Sequence, residues 1–489
     1  MTLLFVSCDD FLSKDPDPRA SLDTPQAVSE LLVSAYPDVT YYQFLEVMSD
    51  NAGDVRLWYE NAVNTSVEQA YWWKNVNSYN QDTPWGYWMG CYEAIAAANH
   101  ALEAIEKINE KDRDNFRAQR AEALICRAYS HFMLVNIFSK SYNANTASTD
   151  LGVPYVTKPE KVIFGKYDRG NVADVYKSIE ADLQEGLKDI ALNSYSVPRY
   201  HFNPEATYAF ATRYYLFKNE PDSVIKYADL CIGTNPASKL RDLNGPKYNG
   251  QVYKVIEATY TDSAEPCNLL LASTVSSFSR SPFHRYKLTP RIKSEIYDRS
   301  VTGGNLVYPF YTYALGDRTI HTPKFKEWFK QESVNANYGQ AYIMSLLFTN
   351  DEVLLNRAEA YVMKNMIAEA YKDLNTFYSK RVDNYNASQH AVNQTKVDNF
   401  AAGLPQELDP YYGIPAANMN LMKVIVDTRR KEFIMEGLRW FDIKRFNFQI
   451  EHSDVDKNTI VLAKNSPLRE IQIPLQAISS GLKPNPGRD

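Results

Sequence analysis

From about residue 24 onward, apolar residues recur at intervals of three and four, so most of the chain reads as amphipathic helix. In GYWMGCYEAIAAANHALEAIEKI, residues 86–108, the side chains of Tyr92, Ile95, Ala98, Leu102 and Ile105 share one face of a helix that advances about 100° per residue. Trp88 shares that face with Tyr92, Ile95 and Asn99, which places it in the core. Residues 117–138 repeat the pattern through Ala121, Leu124, Ala128, Phe132 and Val135, and residues 171–190 do so through Val175, Ile179, Leu183 and Leu187. Loops rich in Asn, Asp, Ser and Pro separate them at 141–154 and 193–204.

Two later stretches predict helix pairs. Residues 206–236 carry small Ala209 and Ala211 on a first helix, a turn at Asn219-Glu220-Pro221-Asp222, and a second helix through Ile225 and Ala228 that ends at Pro236. Small residues let two antiparallel helices cross closely, as in a tetratricopeptide unit. Residues 352–381 repeat the scheme, and Arg357-Ala358-Glu359-Ala360 echoes Arg120-Ala121-Glu122-Ala123. Antiparallel pairs without superhelical stacking give the same pattern, so the reading is a helical scaffold with a few short strands.

Between roughly 240 and 345 the long helical period disappears and Gly, Ser, Pro, Thr and Tyr dominate. An irregular stretch of this length is more often functional than idle. A second irregular, aromatic segment spans about 54–88. Near the end, RRKEFIMEGLRWFDIKRF (429–446) sets Arg429, Glu432, Glu436 and Arg439 on the same helical stripe as Phe433, Trp440 and Ile443. Buried charges are costly unless paired. These four are therefore expected to neutralise one another along the stripe, or to pair through other helices, in a structural network; Glu436→Ala is expected to leave a buried arginine unpaired.

Composition narrows the classes. With 53 basic and 59 acidic residues and a net charge of −6, the chain offers no strong field for nucleic acid. Tyrosine is abundant, at 35 of 489 residues, so many flat amphipathic rings must lie near the surface. Cys91, Cys126, Cys231 and Cys267 lie in helical or apolar patterns without close pairing and read as buried free thiols. Cys8 differs. It follows the apolar run Leu3-Leu4-Phe5-Val6-Ser7 and resembles the lipidation site of a bacterial lipoprotein, although the run is short and lacks a basic flank.

Catalytic motifs are scarce. No G-x-S-x-G, H-E-x-x-H, G-x-x-x-x-G-K-[ST] or G-x-G-x-x-G occurs. The histidines are scattered and read as satisfied or solvated. Asp454-Val455-Asp456-Lys457-Asn458 opens like an EF-hand loop, but Thr459 stands where the loop needs Gly and Asn465 where it needs Glu, so that reading fails. Asp50-Asn51-Ala52-Gly53-Asp54 offers oxygens to a cation, yet suits a turn better. The positive signal is aromatic. Trp72, Trp73, Tyr79 and Trp85 lie among Asn and Gln, and Phe283, Tyr286, Tyr308, Tyr311 and Tyr313 lie in the later irregular stretch. Sugars stack their C–H faces on such rings while amides and hydroxyls meet their hydroxyl groups. Peptides suit such a surface too, and rings beneath loops also cap a core.

The segment RRKEFIMEGLRWFDIKRF resembles the C-terminal signature of the SusD/RagB family of Bacteroidetes outer-membrane lipoproteins. Cys8-Asp9-Asp10-Phe11-Leu12, WMGCYEAIAAANHAL, AEALICRAYSHFMLVNIFS, Gly152-Val153-Pro154-Tyr155, LLNRAEAYV and Ile471-Gln472-Ile473-Pro474…Asn485-Pro486-Gly487 resemble further family segments in the family's order. The resemblance implies a SusD-like helical fold with tetratricopeptide-like helix pairs. Residues 1–8 would be a truncated lipoprotein signal, 9–23 a tether, and 24–489 a single domain, with helical scaffold at 86–240 and 346–446 and a loop-rich ligand-binding insert at about 241–345. It implies a non-enzymatic protein, lipid-anchored through Cys8 and exposed on the cell surface at the outer membrane. There it captures oligosaccharides for a SusC-like TonB-dependent transporter. Peptide capture of the RagB type and a bare tetratricopeptide interaction scaffold are the alternatives. Ligand contacts are expected at Trp72, Trp73, Tyr79, Trp85, Tyr286 and Tyr311, with Arg429, Glu432, Glu436, Arg439 and Trp440 structural. No metal or other cofactor is expected, and the sequence leaves a structural calcium open.

Overall fold

A computed structural model describes residues 22–56, 64–161, 165–190, 195–308, 312–314 and 320–488. Cys8 and Tyr311 lie outside the described residues. The chain begins with α1 (Pro25–Leu32), α2 (Tyr42–Met48), strand β1 (Gly53–Asp54) and α3 (Thr65–Tyr71). Then come the long helices α4 (Pro84–Lys107) and α5 (Arg117–Phe138), and α6 (Val172–Gly186), each packed against the next. Their starts obey local chemistry. Thr83 Oγ1 accepts from Gly86 N with Pro84 in the first turn, and the Asn171 side chain accepts from Asp174 N.

Both predicted helix pairs form. α7 (Pro204–Lys218) turns at Asn219, which takes the left-handed conformation (φ 66°), into α8 (Pro221–Ile232). α11 (Asn350–Met363) and α12 (Ile367–Tyr378) make the second pair, after α9 (Tyr253–Tyr260) and α10 (Pro290–Tyr297). α8 packs on α11, and Arg357 locks this contact. Its Nη1 donates to Asp229 at 2.7 Å while Nε and Nη2 donate to Asp373 at 2.8 Å, so one buried guanidinium joins three helices.

The later irregular stretch is more ordered than its composition suggests. β2 (Asn268–Val275) pairs antiparallel with β7 (Gly339–Thr349), and β7 pairs with β6 (Glu327–Gln331), giving a three-stranded sheet in the order β2-β7-β6. β7 runs for 11 residues and feeds directly into α11. Its apolar segment lacks helical period because a strand's period is two. β3 (Tyr286–Lys287) pairs with β1, β4 (Tyr313–Ala314) with β5 (Ile320–His321), and β8 (Ile450–Ser453) with β9 (Thr459–Leu462).

The signature segment is not one helix. α13 (Ala387–His390) and α14 (Gln394–Ala401) lead to α15 (Met419–Glu432). The chain then turns through Met435 and Gly437, both at φ 67°, before α16 (Leu438–Arg445). The Glu46 carboxylate holds this turn by accepting from Met435 N at 2.9 Å and Gly437 N at 3.2 Å. Among the described residues, none of the four predicted charges pairs with another of the four. Arg429 donates to Asp442 at 3.0 Å and to Asn356 at 2.7 Å. Glu432 receives a fork from Arg381 at 2.8 Å and the Tyr308 hydroxyl. Glu436 pairs with Lys324 at 2.7 Å, so the partner is a lysine where the sequence suggested an arginine. Arg439 forks onto Asp50 at 2.7 and 2.8 Å. Each charge is thus spent joining a distant segment, and the stripe argument fails because the turn rotates α16 out of register with α15. Trp440 is fully buried, and its indole nitrogen lacks a described partner.

The four inner cysteines are free and buried. Trp88 is buried edge-on to Phe138 at 4.9 Å, as its spacing predicts. No helix among the described residues is long and apolar enough to cross a membrane.

Candidate functional site

Two-residue strands carry little stability of their own, so the β1–β3 pair exists because side chains brace it. Asp54 and Arg285 form a two-pronged ion pair at 2.8 and 2.7 Å, and Val55 N donates to Arg285 O at 3.1 Å. Burial works to raise the Asp54 pKa. The Arg285 guanidinium and the N–H groups of Arg56 and Val455 outweigh it and hold the carboxyl below its ordinary range.

On this bracket stands a pile of four rings. Tyr286 stacks on Tyr71 at 4.2 Å, Tyr71 on His452 at 4.2 Å, and His452 on Trp73 at 4.4 Å. The pile collects residues from β3, the end of α3 and β8. Its polar edges are satisfied internally: Tyr71 donates to Ser453 O at 2.8 Å and Trp73 Nε1 to Met48 O at 2.9 Å. Both nitrogens of His452 face carbonyl oxygens, of Tyr71 and Ser49, yet burial lowers its pKa. Trp72 stands edge-on to Tyr71 at 5.2 Å and donates from Nε1 to the Tyr286 hydroxyl at 3.3 Å. Burial pushes that phenol up to about 12.

Beside the pile opens a polar cavity of about 560 Å³. Tyr71 and Thr289 line it, together with Asp54, Arg56, Arg291, Glu451 and Asp454. Arg56 pairs with Asp456 and Arg291 with Glu295, so most of these charges already have partners. Asp454 accepts from Asp456 N and Asn458 N at 2.9 Å, the hydrogen bonds of a hairpin turn between β8 and β9. Asp50 and Asp54, read from sequence as a turn or a cation site, hold guanidinium groups. Among the described residues, no group of three or more His, Cys, Asp or Glu is placed to hold a metal ion.

The sequence-predicted aromatics therefore divide. Trp72 and Tyr286 touch, and Trp73 joins them through Tyr71 and His452, but Trp73 and Tyr286 are each only 1% exposed. Trp72 and Trp73, both expected as ligand contacts, do not share a surface, because Trp73 takes φ 51° and turns its ring inward onto His452. Tyr79 and Trp85 make a separate edge-to-face pair at 5.5 Å, with Tyr79 exposed and Trp85 half-buried. Sequence reasoning missed Tyr71, Arg285, Arg291, His452 and Glu451. Only Tyr71 and Arg285 had a usable signal, as neighbours of Trp72 and Tyr286; a lone histidine and a strand carboxylate carried none.

Residues 10–216 match a family model described as starch-binding and associating with the outer membrane, and residues 318–473 match the SusD family model. A SusD-like protein of Formosa agariphila is 22% identical over 413 residues, covering 76% of this chain and 74% of the relative. A SusD superfamily structure from Bacteroides thetaiotaomicron superposes with a TM-score of 0.66 at 18% identity, over 95% of this chain and 100% of that one. A SusD-like carbohydrate-binding protein from Bacteroides vulgatus gives 0.62 at 14% identity, over 94% and 96% of the two chains. With helix pairs, signature segment and both family matches falling in one order along the sequence, the chain belongs to the SusD/RagB family.

Proposed function

We propose that this protein captures oligosaccharides at the cell surface, anchored through Cys8 at the outer membrane, and passes them to a SusC-like TonB-dependent transporter without catalysing their cleavage. The observation that carries the reading is the cavity of about 560 Å³ set against Tyr71 and braced by the Asp54–Arg285 fork. The ring wall meets the cavity at an edge, because Tyr286 and His452 cover the two faces of Tyr71, so it offers a sugar an aromatic rim rather than a stacking face. Fixed carboxylate and guanidinium edges offer hydroxyl groups both acceptors and donors. The descriptions of the family as starch-binding and of a structural relative as carbohydrate-binding support the same ligand class.

Peptide capture is the second reading, favoured by the mixed charge of the lining and above all by Glu451, an exposed strand carboxylate with no ion pair among the described residues. Isothermal titration calorimetry against oligosaccharides and oligopeptides separates the two. Saturable heat with one glycan class, lost in Trp72→Ala, supports the first. Heat with peptides alone, reduced in Glu451→Gln, overturns it in favour of the second.

A further inference from the structure

Away from the cavity, an unusual amount of aromatic surface faces solvent. Among the described residues β6 is an edge strand, paired on one side only, and such strands are normally blunted because they invite aggregation. This one exposes Trp328 at 36% and Phe329 at 55%, and the hairpin leading to β7 adds Tyr338 at 70%. Trp328 stacks on its cross-strand partner Tyr342 at 5.9 Å, with ring planes 20° apart. Exposed aromatic surface kept against that liability marks a contact site.

The Tyr79–Trp85 pair is tied to the same end of the sheet. Asp82, in the left-handed conformation at φ 59°, accepts from Ser276 Oγ at 2.6 Å and from Ser277 N at 2.8 Å. Ser276 N in turn donates to Ala341 O at 2.9 Å, next to Tyr342. Glu327, the first residue of β6, is held by Arg280 and Ser279 and lies close enough to Asp82 to add to the rise that burial imposes on its pKa. Loop 77–83, which leads into Trp85 in the first turn of α4, and the hairpin are thus pinned at adjacent bases.

The charges near the rings are of both signs, with Glu327 held by Arg280 and Lys330 lying over the Tyr342 ring at 5.7 Å, and the residues between them are largely amides. Asn77, Ser78, Asn80 and Gln81 flank Tyr79, and Asn335 and Asn337 sit in the hairpin turn. An anionic ligand would be met by a cluster of unopposed basic groups, whereas Arg280 here is held by Glu327. Separated rings among amides and hydroxyls match a chain of neutral sugar rings.

We infer that Tyr79, Trp85, Trp328 and Tyr342 form a second carbohydrate-binding surface, which grips a polysaccharide chain apart from the sugars held in the cavity. The inference rests on the glycan reading and adds a ligand size to it: the ligand is a polymer that bridges two surfaces, so the second contact adds avidity that a short oligosaccharide does not gain.

The test pairs affinity electrophoresis through gels containing soluble starch, laminarin, xylan or alginate with calorimetry on the corresponding tetrasaccharides. It uses wild type, Trp72→Ala, and Tyr79→Ala/Trp328→Ala, whose thermal midpoints are compared first. The double variant is expected to lose about tenfold in polymer affinity while binding the tetrasaccharide as wild type does. Trp72→Ala is expected to lose the tetrasaccharide heat yet keep residual retardation by the polymer. Polymer affinity unchanged in the double variant, or polymer and tetrasaccharide affinity falling in step, overturns the second surface and leaves the cavity reading standing. A wild type that neither gel nor calorimeter sees bind any glycan overturns both.

Discussion

Arg439 closes a two-pronged ion pair on Asp50, 389 residues earlier, with Nε and Nη2 at 2.7 and 2.8 Å from the two carboxylate oxygens. Arg430 approaches the same segment, donating to Asn51 Oδ1 at 2.9 Å and to the Asp50 carbonyl at 2.5 Å. The signature segment near the C-terminus is therefore clamped onto the loop between α2 and β1, whose far end, Gly53 and Asp54, lines the cavity. The pair is structural, and its position makes it a support for the site.

Asp50→Asn should cost about 3–5 kcal/mol, because it leaves two buried guanidinium groups facing no carboxylate. Burial alone would raise the Asp50 pKa, but Arg430 and Arg439 outweigh it and hold the carboxyl well below its ordinary range. A depressed carboxyl contributes stability that is fully present above the unfolded value of about 4 and is lost as pH falls towards the folded one. Urea midpoints measured from pH 7 to pH 3 should therefore show the gap between wild type and variant narrowing below about pH 4. A gap that stays constant to pH 3 would show that the Asp50 charge does not stabilise the fold.

Glu436→Ala should strand Lys324, whose side chain is 6% exposed and whose ammonium otherwise meets the Glu432 carbonyl at 2.6 Å and the Tyr260 ring at 5.0 Å. The expected cost is about 3–5 kcal/mol. The Tyr260 hydroxyl, 3.1 Å from Glu436 Oε1, loses its acceptor as well. Removing both charges in Lys324→Met/Glu436→Leu should recover much of the loss, since the penalty belongs to the unpaired ion rather than to the missing attraction. A denaturant series on the two variants checks this, and a double variant no better than Glu436→Ala would refute it.

Gly437→Ala tests the turn that divides the signature segment. Gly437 sits at φ 67°, which costs an L-residue roughly 1–2 kcal/mol, and an added Cβ would come within 2.9 Å of the Tyr41 ring. The thermal midpoint should fall by several degrees, whereas Gly413→Ala, with nothing within 4 Å, should leave it unchanged. Equal midpoints would mean that the turn relaxes freely.

Helices were legible because their period is local: residues 117–138 are predicted and found with the same limits. The β2–β7 pairing at the centre of the sheet was not, because strand pairing is a long-range choice and these two strands lie about 70 residues apart. The charges around Arg429 were recognisable as buried and in need of partners. Their partners, Asp442, Arg381, Lys324 and Asp50, come from three other segments as well as from α16, and no spacing rule joins them. At the site, adjacency misled: Trp72 and Trp73 are neighbours in sequence, and the positive φ of Trp73 sends their rings to different environments.

That divergence yields the sharpest contrast between binding and folding. Trp73 is 1% exposed and stacked on His452, so Trp73→Ala should cost about 3–5 kcal/mol and lower the thermal midpoint markedly. Trp72 is only partly buried and gives up an edge contact and one long hydrogen bond, so Trp72→Ala should cost less than about half as much. Ligand binding should rank the other way. Trp72→Ala should abolish the calorimetric heat in a protein that still melts cooperatively, because Trp72 packs edge-on against Tyr71, the ring that lines the cavity. Trp73→Ala, measured below its melting range, should weaken binding less than Trp72→Ala does. If both substitutions impair binding only in proportion to their loss of stability, Trp72 belongs to the scaffold and the ring wall is not a ligand contact.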